Sequence, residues 1–302
     1  MPWFDSFDAA VGRFAGMEIL YDEPMALHTT FRIGGPAKRM ARPRSTEEAA
    51  ALLTLAEAEG WPVLTLGNGS NLLAADSGLD ALVIHSGRLD ALERTGERTI
   101  RAGAGVSLAR LASFAQREGL GGLEFAHGIP GSLGGAVCMN AGAYGGEMRQ
   151  VVQSVTAWFP GEGLRRLSGD EMAFGYRHSV FSGRRGAALE AELTLTERDR
   201  EEIQAQMAEL DRRRREKQPL EFPSAGSTFQ RPQGHFAGAL IEQCGLKGAR
   251  VGGAQVSEKH AGFLINTGGA TCADVLGLIA HVQQVVQEQT GVALEPEVKM
   301  VP

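Results

Sequence analysis

The sequence predicts an α+β protein with a separate C-terminal part, on three observations. Strand-like and helix-like segments are mixed along the chain and do not alternate as regular βαβ units. Glycine is in excess, 40 of 302 residues, and its share of about 13% against a usual ~7% concentrates between those segments. A long charged helix over 199–217, ended by Pro219 and Pro223, separates the two parts.

The elements follow in order. A helix is predicted over 45–59, with Ser45 as cap, Glu48 three residues on as its capping-box partner, and Gly60 beyond its end. The apolar run at 62–66 reads as a strand that breaks into the glycine-rich 67–71. Further strands are expected at 81–84 and 99–102, followed by a helix over 107–118 capped by Ser107. Glycine is densest from 119 to 146, where no regular element tolerates it cheaply. Alternating apolar and polar positions predict strands at 151–159 and 187–196, with a short Ser168-capped helix between them. The polar excess of 199–217, including Arg212–Arg215, reads as a linker or a solvated face. Beyond it come helices at 237–243 and 271–289 and strands at 262–266 and 292–300.

Composition excludes several classes. Hydrophobic residues at 43% and charged residues at 22% are ordinary for a soluble folded chain. A net charge of -6 argues against a general nucleic-acid binder. No apolar run approaches the ~20 residues of a membrane span, and the N-terminus lacks the basic start and apolar core of a secretory signal. Cys138, Cys244 and Cys272 make neither a zinc pattern nor a disulfide framework, so a reducing, cytoplasmic setting is expected.

Three segments could bind a ligand. Gly67-Asn68-Gly69-Ser70-Asn71 directly follows a strand. Its backbone N–H groups and polar side chains can cradle a phosphate without net positive charge, though the same residues also suit a hairpin turn. The loop from Gly128 to Tyr144 is too long and too apolar for a mere turn. Two such loops suggest one extended ligand with phosphates, such as a dinucleotide. The third segment, 28–35, offers Thr and Arg to an anion or ring carbonyl; it also reads as a strand end and turn.

These segments belong to an ordered series: HTTFRIGGPA at 28–37, LGNGSNLL at 66–73, GIPGSLGGAVCMNAGAYGGE at 128–147, YRHS at 176–179, SAGSTFQRP at 224–232, GAQVSEKHAGFLIN at 253–266 and LEPEVK at 294–299. The series resembles the UDP-N-acetylenolpyruvoylglucosamine reductase (MurB) family, in its shorter subtype, from about residue 20 to the C-terminus. The resemblance implies an FAD-binding fold of the vanillyl-alcohol-oxidase type in two subdomains, 1–88 and 89–198, and a substrate-binding domain over 199–302. It also implies NADPH-dependent reduction of the enolpyruvyl ether of UDP-N-acetylglucosamine to UDP-N-acetylmuramate, in cytoplasmic peptidoglycan precursor synthesis. The partners expected are the UDP-sugar and NADPH, with no metal, nucleic acid, membrane or obligate protein partner.

The chemistry asks for specific groups. An enolpyruvyl ether is an alkene conjugated to a carboxylate. Hydride addition at the terminal vinyl carbon leaves an enolate that needs a fixed cation and one proton. By resemblance Arg177 is the cation, Glu297 polarises the carboxylate site and Ser227 donates the proton. The resemblance gives cofactor contacts to Arg32, Gly34, Gly67, Asn68, Gly69, Ser70, Asn71, Gly128, Ile129, Ser132, Gly134 and Gly135. It gives the uridine diphosphate to Tyr176, Lys217 and Arg231. Two positions depart from the pattern: Gln230-Arg231 stands where the family often has Lys or Lys-Asn, and Lys299 where some members have Arg. Cys138 reads as a small buried hydrophobe. The competing readings are an FAD-dependent oxidase on the same fold and a non-catalytic nucleotide-binding protein.

Overall fold

The computed structural model describes residues 2–302, which form two compact units. The first takes the chain through Tyr21, Lys38–Asn68 and Ala81–Arg212. The second takes Asp22–Ala37, Gly69–Asp80 and Arg213–Pro302.

Two sheets draw largely on the first unit. One runs in the order Glu18–Pro24, Pro36–Arg42, Leu79–His85, Val63–Leu66, its last two strands parallel with Leu66 opposite His85. Helix Thr46–Ala58 supplies the connection into Val63–Leu66. Ser45 Oγ accepts from the Glu48 N–H at 3.2 Å, so the predicted cap forms, while Glu48 returns its bond to the Arg44 N–H and not to that of Ser45 as a capping box would. Its apolar face (Ala49, Leu52, Leu53, Ala56) packs into one core with Phe7, Trp61, Leu82, Trp158 and Leu189. The other sheet is antiparallel, in the order Gly163–Ser168, Val152–Phe159, Ala187–Thr194, Thr99–Gly103, Leu92–Arg94. Helix Leu108–Arg117, capped by Ser107 Oγ, closes the core beneath it.

The second unit has its own core. Phe229, Ile241, Leu264, Val275, Leu278 and Val282 meet Phe31, Ile33 and Leu73 there. It holds a three-stranded antiparallel sheet of Arg250–Val251, Ala254–Val256 and Leu264–Asn266, and helix Cys272–Thr290. Thr271 and Asp274 form a capping box at that helix's start, and Gly291 at φ 72° ends it. Strand Lys299–Val301 lies parallel to Leu72–Ala74.

Several elements differ from expectation. The unit division falls at 212/213, within helix Arg200–Lys217, rather than at 198/199, and two N-terminal segments join the C-terminal unit. The reason is burial: Phe31, Ile33 and Leu73 need that core to leave water. Helix Arg200–Lys217 is not wholly solvated, because Ile203 and Met207 enter the first unit's core and Arg214 is buried. Ser168 and Glu171 exchange their capping bonds, yet only turns follow, since Ala173 turns left-handed at φ 49°. The strand expected at 292–300 reduces to Lys299–Val301. Helix Trp3–Ala10 and strand Glu18–Pro24 carried no signal strong enough to predict. Cys138 is half-buried; Cys272 is the buried thiol.

Candidate functional site

In the first unit the two glycine loops meet. Strand Val63–Leu66 delivers Gly67 and Asn68, and Asn68 Nδ2 donates to the Pro130 carbonyl at 3.3 Å. A Cβ on Gly67 would lie 2.2 Å from Ser132 Oγ, so glycine there leaves room for that hydroxyl. The loop from Gly128 is docked on the turn at 103–108. Leu108 N–H donates to Gly131 O, Leu133 N–H to Val106 O, and Gly134 N–H to Ala104 O. A Cβ on Gly134 would meet Ala104 Cβ at 2.8 Å.

Ser132 carries the main signal. It is 2% exposed and precedes helix Leu133–Cys138, but its hydroxyl makes no cap bond and has no hydrogen-bond partner. A buried hydroxyl without a partner costs about 1–3 kcal/mol. That cost is removed by a ligand with a polar atom at this point, as a phosphate-bearing dinucleotide has. Gly128 and Ile129 lie on the loop before that helix, and Gly135 is exposed within it.

Arg177 stands at the tip of a tight hairpin in the same unit. Gly175 and His178 exchange backbone hydrogen bonds across it, leaving Tyr176 and Arg177 at its two central positions. Arg177 is left-handed, φ 50°. Its Nη2 donates to Gly142 O at 3.4 Å, and its guanidinium lies 5.2 Å from the Tyr176 ring centroid. Tyr176 is mostly exposed.

Asn140 and Ser179 hold this hairpin, and neither was singled out from sequence. Asn140, 1% exposed, donates to Gly175 O and Glu147 Oε2, each at 2.9 Å, and accepts from the Arg149 N–H. Ser179 Oγ, fully buried, donates to Cys138 O at 2.7 Å. The glycine loop and the arginine turn are thus one hydrogen-bonded assembly. The sequence signal was Asn140 within a glycine run, at a left-handed φ of 42° that Asn tolerates better than most residues.

The second unit assembles Ser227 and Glu297. Residues 227–230 run extended between two neighbours. On one side Ser227 bridges Phe263, Thr228 N–H donates to Gly262 O and Leu264 N–H to Thr228 Oγ1. On the other, Glu297 N–H donates to Thr228 O at 2.7 Å and Gln230 N–H to Glu295 O at 2.8 Å. Asn71 joins the same backbone: its Nδ2 donates to Glu297 O, and its carbonyl accepts from the Lys299 N–H. Gly69 takes φ 59°, and a Cβ there would lie 2.0 Å from His28 O. Thr30 N–H donates to Gly69 O, and Thr30 Oγ1 to Ser224 O at 2.7 Å.

The expected first glycine loop therefore spans the unit division, with Gly67 and Asn68 on one side and Gly69, Ser70 and Asn71 on the other. Arg32 is exposed at φ 56°, and Gly34 at φ 131° has Met25 and Ala74 against its α-carbon; both belong to the second unit. Lys217 and Arg231 are exposed in that unit too. His260 is a neighbour the sequence did not flag. A Cβ on Gly262 would lie 3.2 Å from His260 Nδ1 and 3.5 Å from Ser227 Oγ. The Gly262 N–H donates to Nδ1, which leaves the neutral ring's proton on Nε2, and burial holds the imidazole below its usual pKa.

Known proteins match this chain closely. Residues 37–168 match the family described as FAD binding domain, and residues 218–301 that described as UDP-N-acetylenolpyruvoylglucosamine reductase, C-terminal domain. The reductase of that name from Agathobacter rectalis is 50% identical over 295 residues, covering 94% of each chain. That from Caldanaerobacter subterraneus subsp. tengcongensis is 48% identical over 284 residues, again covering 94% of each. The crystal structure of the Thermus caldophilus reductase has a TM-score of 0.80 at 38% identity, covering 95% of this chain and 99% of that one. Alkyldihydroxyacetonephosphate synthase shares the fold alone, with a TM-score of 0.51 at 17% identity over 64% of this chain and 44% of its own. The expected FAD-binding fold with a C-terminal domain is borne out.

Proposed function

Because the chain belongs to the UDP-N-acetylenolpyruvoylglucosamine reductase (MurB) family, we propose that it reduces the enolpyruvyl ether of a UDP-sugar to the lactyl ether with NADPH, in the cytoplasm, as a step of peptidoglycan precursor synthesis. The observation that carries this reading is the backbone pairing of 227–230 with 295–297, which sets Ser227 and Glu297 on adjoining extended segments.

Ser132, with no protein partner for its buried hydroxyl, and the glycine-lined segments at 67–68 and 128–135 of the first unit fit FAD. Those residues would hold FAD, which when bound would supply hydride-transfer chemistry drawing on NADPH. Arg177 offers a permanent positive charge in fork geometry to the substrate carboxylate, where the enolate's charge collects. Its hairpin, tied down through Asn140 and Ser179, holds that charge in place before the reaction, so little reorganisation is needed. Glu297 polarises the carboxylate end, and Ser227 delivers the proton to the carbon next to it.

The test is the separation of the two half-reactions. The purified protein should be yellow, NADPH should bleach it without air, and the enolpyruvyl UDP-sugar should restore the colour. Ser227→Ala should leave bleaching intact and strongly slow recolouring. A colourless preparation that takes up no FAD refutes the function; a Ser227→Ala enzyme that recolours at the parent rate refutes the proton-donor role.

A further inference from the structure

Glu147 is a half-buried carboxylate of the first unit. It ends the second strand of a small hairpin, Gly142–Ala143 against Gly146–Glu147, and stands opposite Gly142. Gly142 has no room for a side chain there, since a Cβ would lie 2.9 Å from that of Glu147. The Glu147 N–H donates to Gln150 Oε1 at 3.0 Å, and the carboxylate accepts from the Gln150 N–H in return. Its Oε1 pairs with Arg149, and its Oε2 accepts from Asn140 Nδ2 at 2.9 Å.

These bonds fix the way the Asn140 amide faces. An amide has a donating end and an accepting end, whereas carboxylate and carbonyl oxygens only accept and a backbone N–H only donates. Asn140 gives one Nδ2 hydrogen to Glu147 and the other to Gly175 O, while its Oδ1 accepts from the Arg149 N–H. Gly175 closes the turn that carries Arg177. The far end of the same arginine donates through Nη2 to the carbonyl of Gly142, the residue opposite Glu147. The root of the arginine turn and the tip of the guanidinium are thus both held by residues that Glu147 fixes.

We infer that Glu147 is a positioning residue for Arg177, acting through the Asn140 amide and the Gly142 carbonyl. The inference rests on the reductase reading given above and adds to it a carboxylate that sets where the arginine's charge stands. That charge stabilises the enolate only from one place, and misplacing a catalytic group by about 1 Å costs of order 100-fold in rate. The ion pair of Glu147 with Arg149 is no rival explanation. Arg149 is 57% exposed, and a pair open to water contributes little. The bond to Asn140, itself 1% exposed, is the contact through which Glu147 acts.

The experiment follows the two half-reactions of the FAD-loaded enzyme. NADPH should bleach Glu147→Ala at the parent rate, and the enolpyruvyl UDP-sugar should recolour it roughly 10- to 100-fold more slowly than the parent. Glu147→Gln keeps an oxygen for Asn140 Nδ2 and should recolour close to the parent rate. Added to Asn140→Ala, Glu147→Ala should slow recolouring little further, because both changes break one link. Parent-rate recolouring of Glu147→Ala overturns the inference, as does equal slowing of both half-reactions or a fully additive loss in the double variant. Should Glu147→Ala fail to fold, Glu147→Asp, whose carboxylate is drawn back by one methylene, takes its place with the same expected split and the same refutation. If the UDP-sugar does not recolour the reduced parent, the reductase reading fails instead. Hydrogen exchange at the backbone amides of 175–178 then decides the positioning by itself: it should be faster in the variant, and equal rates overturn the inference.

Discussion

Replacing Ser132 with alanine should have opposite effects on the FAD-free and FAD-loaded protein. In the free protein the hydroxyl is 2% exposed and has no hydrogen-bond partner. Removing it relieves a desolvation cost of about 1–3 kcal/mol and leaves a void of only one oxygen atom. The FAD-free variant should therefore melt higher than the parent, by a few degrees at roughly 2–4 °C per kcal/mol for a protein of this size. In the loaded protein the same change deletes a hydrogen bond to the cofactor. If its acceptor is a charged phosphate, about 1.5–3 kcal/mol is lost and FAD binds roughly 10- to 150-fold more weakly. Differential scanning fluorimetry of the FAD-stripped protein reads the first effect, and fluorescence titration with FAD reads the second. Gly67→Ala provides an independent arm. Its Cβ would arrive 2.2 Å from the same oxygen, so it should also weaken FAD binding by displacing the hydroxyl. A Ser132→Ala protein that melts lower when stripped and binds FAD like the parent would refute the reasoning, since the hydroxyl would then be satisfied within the protein.

Other expectations follow from individual residues. Asn140→Ala leaves the Gly175 carbonyl and the Arg149 N–H without their partner. It should cost about 2–4 kcal/mol in urea unfolding and slow the substrate half-reaction more than the NADPH half-reaction; equal slowing of both would detach Asn140 from the Arg177 hairpin. Gly69→Ala combines a left-handed φ with a Cβ 2.0 Å from the His28 carbonyl oxygen, so a loss of at least about 2 kcal/mol is expected, and an unchanged melting temperature would show that the loop moves aside freely. His260, held below its ordinary value of 6.5 by burial, is protonated more readily in the unfolded chain. Its contribution is fully present above that pH and is lost as pH falls below 6.5 toward the depressed folded value. Melting temperature between pH 5 and 8 should accordingly fall less steeply on the acid side for His260→Gln than for the parent, and superimposable curves would contradict the assignment.

Local elements were legible where their cause is local. Ser45, Ser107 and Thr271 cap helices because a side-chain oxygen needs only an N–H a few residues on, and that spacing is visible in the chain. The cap at Ser168 shows the limit of this reasoning. Its bonds with Glu171 form as expected, yet no helix grows from them, because the chain turns left-handed at Ala173 two residues on. Helix Arg200–Lys217 was legible as a helix, but its charge hid the two residues that anchor it, Ile203 and Met207. Among the residues of the candidate site, the glycine loops and the serine, arginine and glutamate motifs are those the sequence offers. Asn140, Ser179 and His260 are not among them, because each acts through partners 35 or 41 residues away or through a neighbouring glycine.

By itself the sequence determined the kind of protein: an α+β chain whose excess glycine is gathered into loops, carrying an ordered set of motifs that names its family. Tertiary structure alone decided which segments belong together. Phe31, Ile33 and Leu73 leave water only in a core formed some two hundred residues later, and Asn71 finds Glu297 at a separation of 226 positions. Hydrophobic burial is non-directional and carries no mark of its partner in the local pattern. Nor does a serine announce that its hydroxyl will be buried without a partner: the empty bond at Ser132 exists only once the two glycine loops have met.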